Sequence, residues 1–456
     1  MREIVLHDTL SGELLALRPR EPGKIGIYAC GPTVYSRIHI GNARPFVVFG
    51  LLKRFLEHEG YATTLVINVT DVNDKIYDAA RRSNPAHPRP SAELAAEMTA
   101  YYRADTDGLQ LGRPDFEPLA SETIGPIVDY IQTLIDGGHA YCVDGDVYFR
   151  VRSDPGYGTL SHRQLENMDQ GEDAAADPLV ARKEDPLDFA LWKVHKPGED
   201  TCWQTPWGSG RPGWHIECSA MAEQFLGVGF DIHGGGSDLV FPHHENEASQ
   251  TRAARGAELT KLWMHNGMIQ FTGEKMAKSV GNIALLHEVL DTYGHEAVVM
   301  YLISGHYRQP LAFSQAALEQ AQANVKRIRE AGRRLSEGDS PADLDPLRDR
   351  FFDALARDFN TAEALAVLNE WIGVATGAAR GSAGNGHLRE MLGVLGLESL
   401  LAAAEQAPEQ VHELAAEREQ ARRDRDFAAA DRLRDEIAAL GWEVRDGPGG
   451  FDLIPL

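Results

Sequence analysis

The sequence predicts an α/β protein, a doubly wound parallel sheet with an insertion domain, followed by α-helical C-terminal domains. Residues 24–30 and 62–69 are short and apolar, and the second run is rich in β-branched residues, as buried parallel strands are. Residues 46–59 between them carry apolar side chains at helical spacing. A second strand-and-helix set resumes at residue 213, and the pattern after residue 293 is helical.

The first strand, helix and strand form a βαβ unit. The ligand site of such a unit lies at the carboxyl ends of its strands. Thr33, His39, Asn68 and Thr70 all fall at that edge in the sequence. We therefore expect these side chains to face a bound ligand.

The patterning divides the chain into six consecutive parts. The first half of the sheet (1–122) is followed by an insertion (123–211) and by the second half of the sheet (212–271). After them come a segment with two lysines (272–315), a helical bundle (316–400) and a small terminal domain (401–456). Within the insertion, residues 141–149 predict a hairpin across Asp144-Gly145, and the acidic stretch 170–177 predicts a mobile loop.

Composition indicates a globular protein of several domains. At 456 residues the chain is too long for one ordinary core, 43% of its residues are hydrophobic, and no run is long enough to cross a bilayer. The N-terminus MREIVLHDTL has no apolar signal core, so we expect a cytoplasmic protein without a membrane partner. A net charge of −23 argues against indiscriminate nucleic-acid binding, but it leaves room for a specific RNA partner.

The stretch 213–247 is the densest in chemical signals. Residues 230–233 predict a strand, and the run Gly234-Gly235-Gly236-Ser237-Asp238 predicts a loop where backbone approaches a ligand. Pro242 sits where the first turn of a following helix tolerates it.

Four side chains are candidate metal ligands. His243 lies four residues before Glu247, which places the imidazole and the carboxylate on the same helical face. With the thiols of Cys30 and Cys218 they make a set that suits zinc, although the spacing matches no compact finger. Taken alone, a His-Glu pair at a helix start is more often capping and surface charge.

A glycine-bracketed segment carries two lysines. Lys275 and Lys278 lie three apart between Gly273 and Gly281, and such a loop can close over a charged ligand. Paired with His39 at a strand-to-helix edge, the segment predicts nucleotide binding, with helix amides and imidazole near phosphate oxygens and lysines neutralising a leaving pyrophosphate. No Walker or dinucleotide glycine pattern occurs nearby. By themselves, the two lysines would be ordinary surface residues.

Two motifs together carry a resemblance to a known family. His39-Ile40-Gly41-Asn42 resembles the HIGH motif of class I aminoacyl-tRNA synthetases, and residues 275–279 (KMAKS) resemble their KMSKS motif, in the right order. Further blocks resemble the cysteinyl-tRNA synthetases over nearly the whole chain, namely 28–35, 68–71, 213–221, 230–247, 304–308 and 358–361. The chain departs from the family at Asn42, at Ala277 and in the tail 447–451, which lacks an expected threonine and tryptophan.

The resemblance implies a class I synthetase Rossmann-like catalytic domain and an ATP-dependent ligase. Such an enzyme activates L-cysteine with ATP, releases pyrophosphate, and transfers the cysteinyl group to the 3′-terminal adenosine of tRNA-Cys. It implies one Zn²⁺ per subunit that selects the substrate thiolate, Mg²⁺ that accompanies ATP, and anticodon contacts from 316–400 and 401–456. We expect a monomer. Arginines at 422–434 on a predicted helix are a weak indication of RNA binding.

The resemblance also implies roles for individual residues. The metal ligands would be Cys30, Cys218, His243 and Glu247. The catalytic residues would be His39, Lys275 and Lys278, and the ATP-binding residues would be these three with Gly41 and Asn42. The substrate-binding residues would be Gly31, Thr33, Thr70, Trp214, Gly236, Ser237 and Asp238.

Two alternatives share parts of this interpretation. A ligase of the mycothiol pathway resembles the synthetase core but joins cysteine to an amino sugar; it is typically shorter, so residues 316–456 favour the synthetase. A synthetase relative that binds tRNA or zinc without catalysis is the other alternative. The presence of His39 and Lys278 favours an enzyme.

Overall fold

The computed structural model describes most of the chain. The described residues are 2–83, 89–165, 182–271, 284–377, 383–402, 407–447 and 450–455. They belong to two compact units, Met1–Leu400 and Leu401–Leu456. Among the described helices, none combines the length and the apolar character that crossing a membrane requires.

The strands and helices are numbered in chain order. The strands are Val5–His7 (β1), Leu14–Ala16 (β2), Lys24–Ala29 (β3), Ala62–Ile67 (β4), Ala140–Val143 (β5), Asp146–Phe149 (β6), Phe189–Val194 (β7), Trp203–Thr205 (β8), Gly208–Pro212 (β9), Phe230–Gly236 (β10), Thr260–Asn266 (β11), Ile269–Phe271 (β12), Leu311–Phe313 (β13), Trp442–Gly447 (β14) and Gly450–Pro455 (β15). The helices are Ile40–His58 (α1), Asp74–Ser83 (α2), Ser91–Asp107 (α3), Ile124–Asp136 (α4), Trp214–Leu226 (α5), Glu245–Arg255 (α6), Leu286–Tyr293 (α7), His295–Leu302 (α8), Gln315–Arg334 (α9), Asp345–Ala356 (α10), Thr361–Ala375 (α11), Gly386–Val394 (α12), Glu409–Arg423 (α13) and Phe427–Ala439 (α14).

A parallel sheet with the order β11-β10-β3-β4 lies at the centre of the first unit. The predicted α/β fold is confirmed. The predicted βαβ unit is β3, α1 and β4, and Ile27 and Leu65 of its strands are buried. Because β3 pairs with β10 from the second half of the sheet, the carboxyl ends of both halves meet at one edge.

A second sheet occupies the stretch predicted as an insertion. It is antiparallel, with the order β5-β6-β7-β9-β8. The predicted hairpin is present as β5 and β6, and both residues of its turn, Asp144 and Gly145, have positive φ angles of 50° and 92°. The acidic stretch 170–177 lies outside the described residues.

The described residues after 293 are mainly helical, as predicted, although the first unit also contains a short strand there. Strand β13 pairs in parallel with β12. In the second unit, α13 and α14 pack with the antiparallel pair β14 and β15 around Val411, Ala415, Ile437, Trp442 and Val444.

One local prediction near residue 240 is wrong in part. Gly234, Gly235 and Gly236 belong to β10 rather than to the predicted loop, and only Ser237 and Asp238 lie in the turn that follows. The sheet is too crowded there for larger side chains. A Cβ atom on Gly234 would lie 2.1 Å from the Met264 carbonyl oxygen and 2.3 Å from the Phe49 ring. The predicted start of the next helix near Pro242 is correct, because Phe241 has non-helical φ and ψ angles and the backbone after it is helical through His244 and into α6.

Candidate functional site

The structure brings the four predicted metal ligands together. Cys30 follows β3, Cys218 lies on α5, His243 lies in the turn before α6, and Glu247 lies in the first turn of α6. One ligand atom from each of the four lies within 4.8 Å of all the others, and all four residues are buried. The meeting of β3 and β10 at the sheet edge makes this possible.

Glu247 lies at the centre of this group and uses both carboxylate oxygens. Its Oε1 is 3.6 Å from the Cys30 Sγ and 3.0 Å from the His243 Nε2. Its Oε2 is 2.9 Å from the Nε2 of His233 on β10. The carboxylate is therefore held from two sides, one facing the metal-ligand group and the other facing the sheet.

The ionisation of this group follows from its burial and its neighbours. Burial alone would raise the pKa of Glu247, but His233 and His243 lower it to about 2. Burial would lower the pKa of His243, but Glu247 and Cys218 raise it to about 10. A hydrogen bond from Cys30 lowers the pKa of Cys218 to about 6, whereas burial raises the pKa of Cys30 well above its usual value.

Histidines surround the group, and sequence reasoning missed most of them. The His215 Nδ1 lies 2.9 Å from the His243 Nδ1, the His244 Nε2 lies 3.3 Å from the Cys30 Sγ, and the His244 Nδ1 lies 2.7 Å from the His265 Nε2. A signal was present in the sequence, because five of the 17 histidines fall between residues 215 and 265.

These histidines create a second possible donor set. Cys30, His233, His244 and Glu247 also offer ligand atoms within 4.8 Å of one another. The two sets share Cys30 and Glu247, so they describe two neighbouring positions for one ion. The second set was not predicted.

His39 occupies the start of α1 at the same edge of the sheet. It is the N-cap residue, and its Nδ1 accepts a hydrogen bond of 3.1 Å from the Gly41 amide. The Asn42 Oδ1 accepts a hydrogen bond of 3.2 Å from the His39 amide, which completes a capping box. A Cβ atom on Gly41 would lie 2.8 Å from the His39 ring, so glycine leaves room for that ring. Asn42 thus has a structural role where the family motif has histidine.

The predicted substrate residues lie near these two groups. Thr33 and Thr70 form an isolated bridge between the ends of β3 and β4. The Gly31 amide donates to the Asn68 Oδ1 at 3.0 Å. The ring of Trp214 stacks on the ring of His243 with centroids 4.4 Å apart. These contacts place the residues predicted to bind the amino-acid substrate around the carboxyl ends of β3 and β4 and beside the metal-ligand group.

The structure describes some of the remaining predicted site residues but not all of them. Gly236 ends β10, and Ser237 and Asp238 begin the short turn that follows it. Burial lowers the pKa of His39, and the Asp238 carboxylate opposes that shift, so these two side chains are electrostatic neighbours. Lys275 and Lys278 lie outside the described residues, and their roles stay predictions.

The sheet, the capped helix and the residues at their shared edge define a class I aminoacyl-tRNA synthetase. The family described as "tRNA synthetases class I (C) catalytic domain" matches residues 16–323, and the "Cysteinyl-tRNA ligase anticodon binding domain" matches residues 404–451. Within this class, the chain belongs to the cysteine--tRNA ligase family. The resemblance found in the sequence is confirmed.

Relatives that match over nearly the whole chain support the assignment. The chain is 43% identical over 464 residues to a "Cysteine--tRNA ligase" of Caldicellulosiruptor saccharolyticus, and the match covers 98% of each chain. It is 45% identical over 454 residues to a "Cysteine--tRNA ligase" of Symbiobacterium thermophilum, and that match covers 95% of each chain. Neither these relatives nor the anticodon-binding match favours the amino-sugar ligase.

Solved structures agree on the fold. A methionyl-tRNA synthetase of Mycobacterium tuberculosis in complex with methionyl-adenylate has a TM-score of 0.58 at 14% identity, and the match covers 83% of this chain and 89% of the other. A LeuRS from Agrobacterium radiobacter, in a ternary complex with tRNA and LeuAMS, has a TM-score of 0.58 at 12% identity, with coverage of 85% and 84%. At such identities the likeness concerns the fold alone.

Proposed function

We propose that this chain activates L-cysteine with ATP to give cysteinyl-adenylate and pyrophosphate, and then transfers the cysteinyl group to the 3′-terminal adenosine of tRNA-Cys. The observation that carries the proposal is the position of the buried Cys30, Cys218, His243 and Glu247 group at the sheet edge that also holds His39. The first group suits recognition of a thiol, and the second suits a nucleotide.

The donor set fits one zinc ion. Two thiols, one imidazole and one carboxylate are the ligand types that zinc takes in tetrahedral sites, and binding would replace the protons that the buried cluster now shares. When bound, zinc prefers a thiolate to a hydroxyl, which would separate cysteine from its near-isostere serine. His233 would keep the Glu247 carboxylate in place, and Trp214 would keep the His243 ring in place.

The amino acid would be oriented by Thr33, Thr70 and Trp214 for attack on ATP. A carboxylate oxygen of cysteine forms a bond to the α-phosphorus, and the bond from that phosphorus to the pyrophosphate oxygen breaks. In the second step a ribose hydroxyl of the terminal adenosine attacks the carbonyl carbon, and AMP leaves. Mg²⁺ would accompany ATP and offset the charge of its phosphates.

His39 is suited to donate a hydrogen bond to a phosphate oxygen. Burial lowers its pKa, so the imidazole is neutral at pH 7. Its Nδ1 accepts from the Gly41 amide, which leaves the single proton on Nε2. The amides at the start of α1 add a favourable field for an anion. Lys275 and Lys278 would neutralise the leaving pyrophosphate.

Residues 316–400 and 401–456 would contact the anticodon side of the tRNA. The match of residues 404–451 to an anticodon-binding family supports this for the terminal part. Arginines on α13 and α14 offer cations for phosphate contacts, in a chain whose net charge is −23. We propose that the protein acts as a monomer.

The test is ATP and pyrophosphate exchange with cysteine and with serine, followed by transfer to tRNA-Cys. We expect exchange with cysteine, at least about a hundredfold less with serine, and cysteine transfer to tRNA. Exchange without transfer would overturn the tRNA assignment. No cysteine-dependent exchange by the zinc-loaded protein would overturn the proposal as a whole.

A further inference from the structure

Arg44 is a buried cation on α1, five residues after His39. Its side chain is fully buried. Its guanidinium donates to three main-chain carbonyl oxygens, those of Gly267 at 2.5 Å, His306 at 3.3 Å and Met268 at 3.4 Å. Burial lowers the pKa of Arg44 to about 10, so the group remains charged at neutral pH.

Burying the Arg44 guanidinium costs free energy. A buried guanidinium loses its hydration, and in the described part of the chain its hydrogen-bond acceptors are carbonyl oxygens rather than carboxylates. Its planar fork holds several acceptors in one geometry, which an ammonium group cannot do. Arg44 therefore defines the distance and the direction between α1 and the backbone that it binds.

The bound backbone lies beside the predicted nucleotide edge. Gly267 and Met268 join β11 to β12. The Gly267 amide donates to the Tyr307 carbonyl at 2.8 Å, and a Cβ atom on Gly267 would lie 2.4 Å from the Gln309 carbonyl oxygen. Met268 is 42% exposed, and its Sδ lies 3.6 Å from where a Cβ atom on Gly236 would be. Met268 thus faces the end of β10.

The start of α1 also binds the segment after residue 283. The Ile40 amide donates to the Ala284 carbonyl, and the Leu286 amide donates to the Ile38 carbonyl, both at 3.0 Å. One end of α1 therefore contacts both described segments that flank residues 272–283 in the sequence. Arg44 supplies the contact to the first of them.

We infer that Arg44 is a positioning residue for adenylate formation. It fixes the Gly267–Met268 backbone relative to His39, so that both sides of the nucleotide edge keep one spacing. The inference rests on the proposed function. It assigns to Arg44 an effect on the reaction through the backbone that it binds, rather than through contact with cysteine or ATP. A misplacement of about 1 Å at such an edge lowers a rate by about a hundredfold.

The test is the exchange kinetics of Arg44→Lys. We expect kcat for cysteine-dependent exchange to fall by about 10- to 100-fold, because the lysine ammonium lacks the fixed planar spacing of the guanidinium donors. The KM for cysteine should stay within about twofold and the zinc content should not change, because the thiol-binding group lies on other elements. The matched control is Arg54→Lys on the same helix, whose guanidinium donates to the Gly393 carbonyl at 2.8 Å. Its exchange should equal that of the wild type.

A second variant perturbs the same backbone without touching Arg44. Gly267→Ala places a Cβ atom against the Gln309 carbonyl and should give the same loss of kcat with an unchanged KM for cysteine. If Arg44→Lys exchanges at the wild-type rate per zinc-loaded molecule and only melts earlier, Arg44 is structural and the inference is overturned. If Arg44→Lys does not fold, wild-type exchange by Gly267→Ala overturns it. In either of these outcomes the wild-type protein still catalyses exchange. If the proposed function were wrong, the wild-type protein itself would show no cysteine-dependent exchange.

Discussion

The Nε2 of His243 lies 3.0 Å from the Oε1 of Glu247, one helical turn later in the chain. Both residues are buried. A buried carboxylate and imidazole in contact, with two thiols beside them, form a cluster that is held together by its own contacts. A metal ion would offer a single partner to all four side chains.

Changing Cys218 to serine should remove most of the bound zinc. A hydroxyl is a poor zinc ligand, so we expect metal affinity to fall at least about tenfold and the KM for cysteine to rise. Metal analysis of the purified protein and exchange kinetics measure these effects. The control is Cys142→Ser, which changes an exposed cysteine. Unchanged zinc stoichiometry in Cys218→Ser would remove this residue from the set.

Changing His244 to glutamine distinguishes the two donor sets. His244 belongs only to the second set, and Cys218 belongs only to the first. We expect His244→Gln to retain one zinc per chain when zinc is in excess, because the first set remains complete. Loss of zinc from His244→Gln together with retention in Cys218→Ser would place the ion in the second set.

Changing Lys278 to alanine should slow adenylate formation. A lysine that neutralises charge on the leaving pyrophosphate acts more strongly in the transition state than on bound substrate. We expect kcat for exchange to fall at least about a hundredfold with little change in the KM for cysteine. The control is Lys261→Ala, whose exposed side chain donates to the Arg18 carbonyl. Equal effects on kcat and on cysteine binding would contradict this role.

The sequence predicted the parallel sheet because its strands have a direct signature. Buried parallel strands are nearly continuous apolar runs, and β3 and β4 end in such runs, whereas β10 begins with apolar residues at alternate positions. Strands β12 and β13 have only three residues each, too few for any periodicity to indicate them. The glycines of β10 predict a loop where backbone approaches a ligand, whereas at Gly234 the close neighbours are the Met264 carbonyl and the Phe49 ring.

The site was only partly predictable for a related reason. Only His243 and Glu247 share a local spacing, since Cys30 and Glu247 are 217 positions apart. Resemblance to a family motif could identify the four residues as one ligand set, but the periodicity of the sequence could not. The contact between Arg44 and three backbone carbonyls depends on how α1 packs, and no pattern around Arg44 indicates it.

Asp358 should contribute to stability in a pH-dependent way. Its carboxylate accepts hydrogen bonds from the His7 amide, the Tyr307 hydroxyl and the Arg308 guanidinium. Burial alone would raise the pKa of Asp358, but His306 and these donors lower it to about 2. The depressed pKa stabilises the folded state above the unfolded value near 4, by about 2 kcal/mol, and this contribution is lost as the pH falls through 2.

The measurement is chemical denaturation of Asp358→Asn at pH 7 and at pH 3. We expect a loss of about 2 kcal/mol at pH 7 and about half of that at pH 3. The control is Asp353→Asn, because Asp353 is 55% exposed and its ion pair with Arg2 should contribute less than about 1 kcal/mol. An equal loss at both pH values would show that the charge of Asp358 is not responsible.

Changing Gly234 to alanine should destabilise the central sheet. The added Cβ atom cannot fit between the Met264 carbonyl and the Phe49 ring, so we expect a loss of more than about 3 kcal/mol in the free energy of unfolding. The control is Gly50→Ala on α1, where no atom lies within 4 Å and alanine should stabilise the helix by about 0.5–1 kcal/mol. Denaturation curves of both variants check the contrast.

The pairing of β3 with β10 has a consequence for how the chain is made. On a ribosome that adds about 5–20 residues per second, Cys30 is without Glu247 for roughly 10–40 s, because that residue follows 217 positions later. Throughout that time β3 has an open edge where β10 will bind, and the sulfur ligand has no partners from the second half of the sheet. The nascent chain therefore passes through a stage in which this edge of the sheet is unpaired and the candidate ligand set is incomplete.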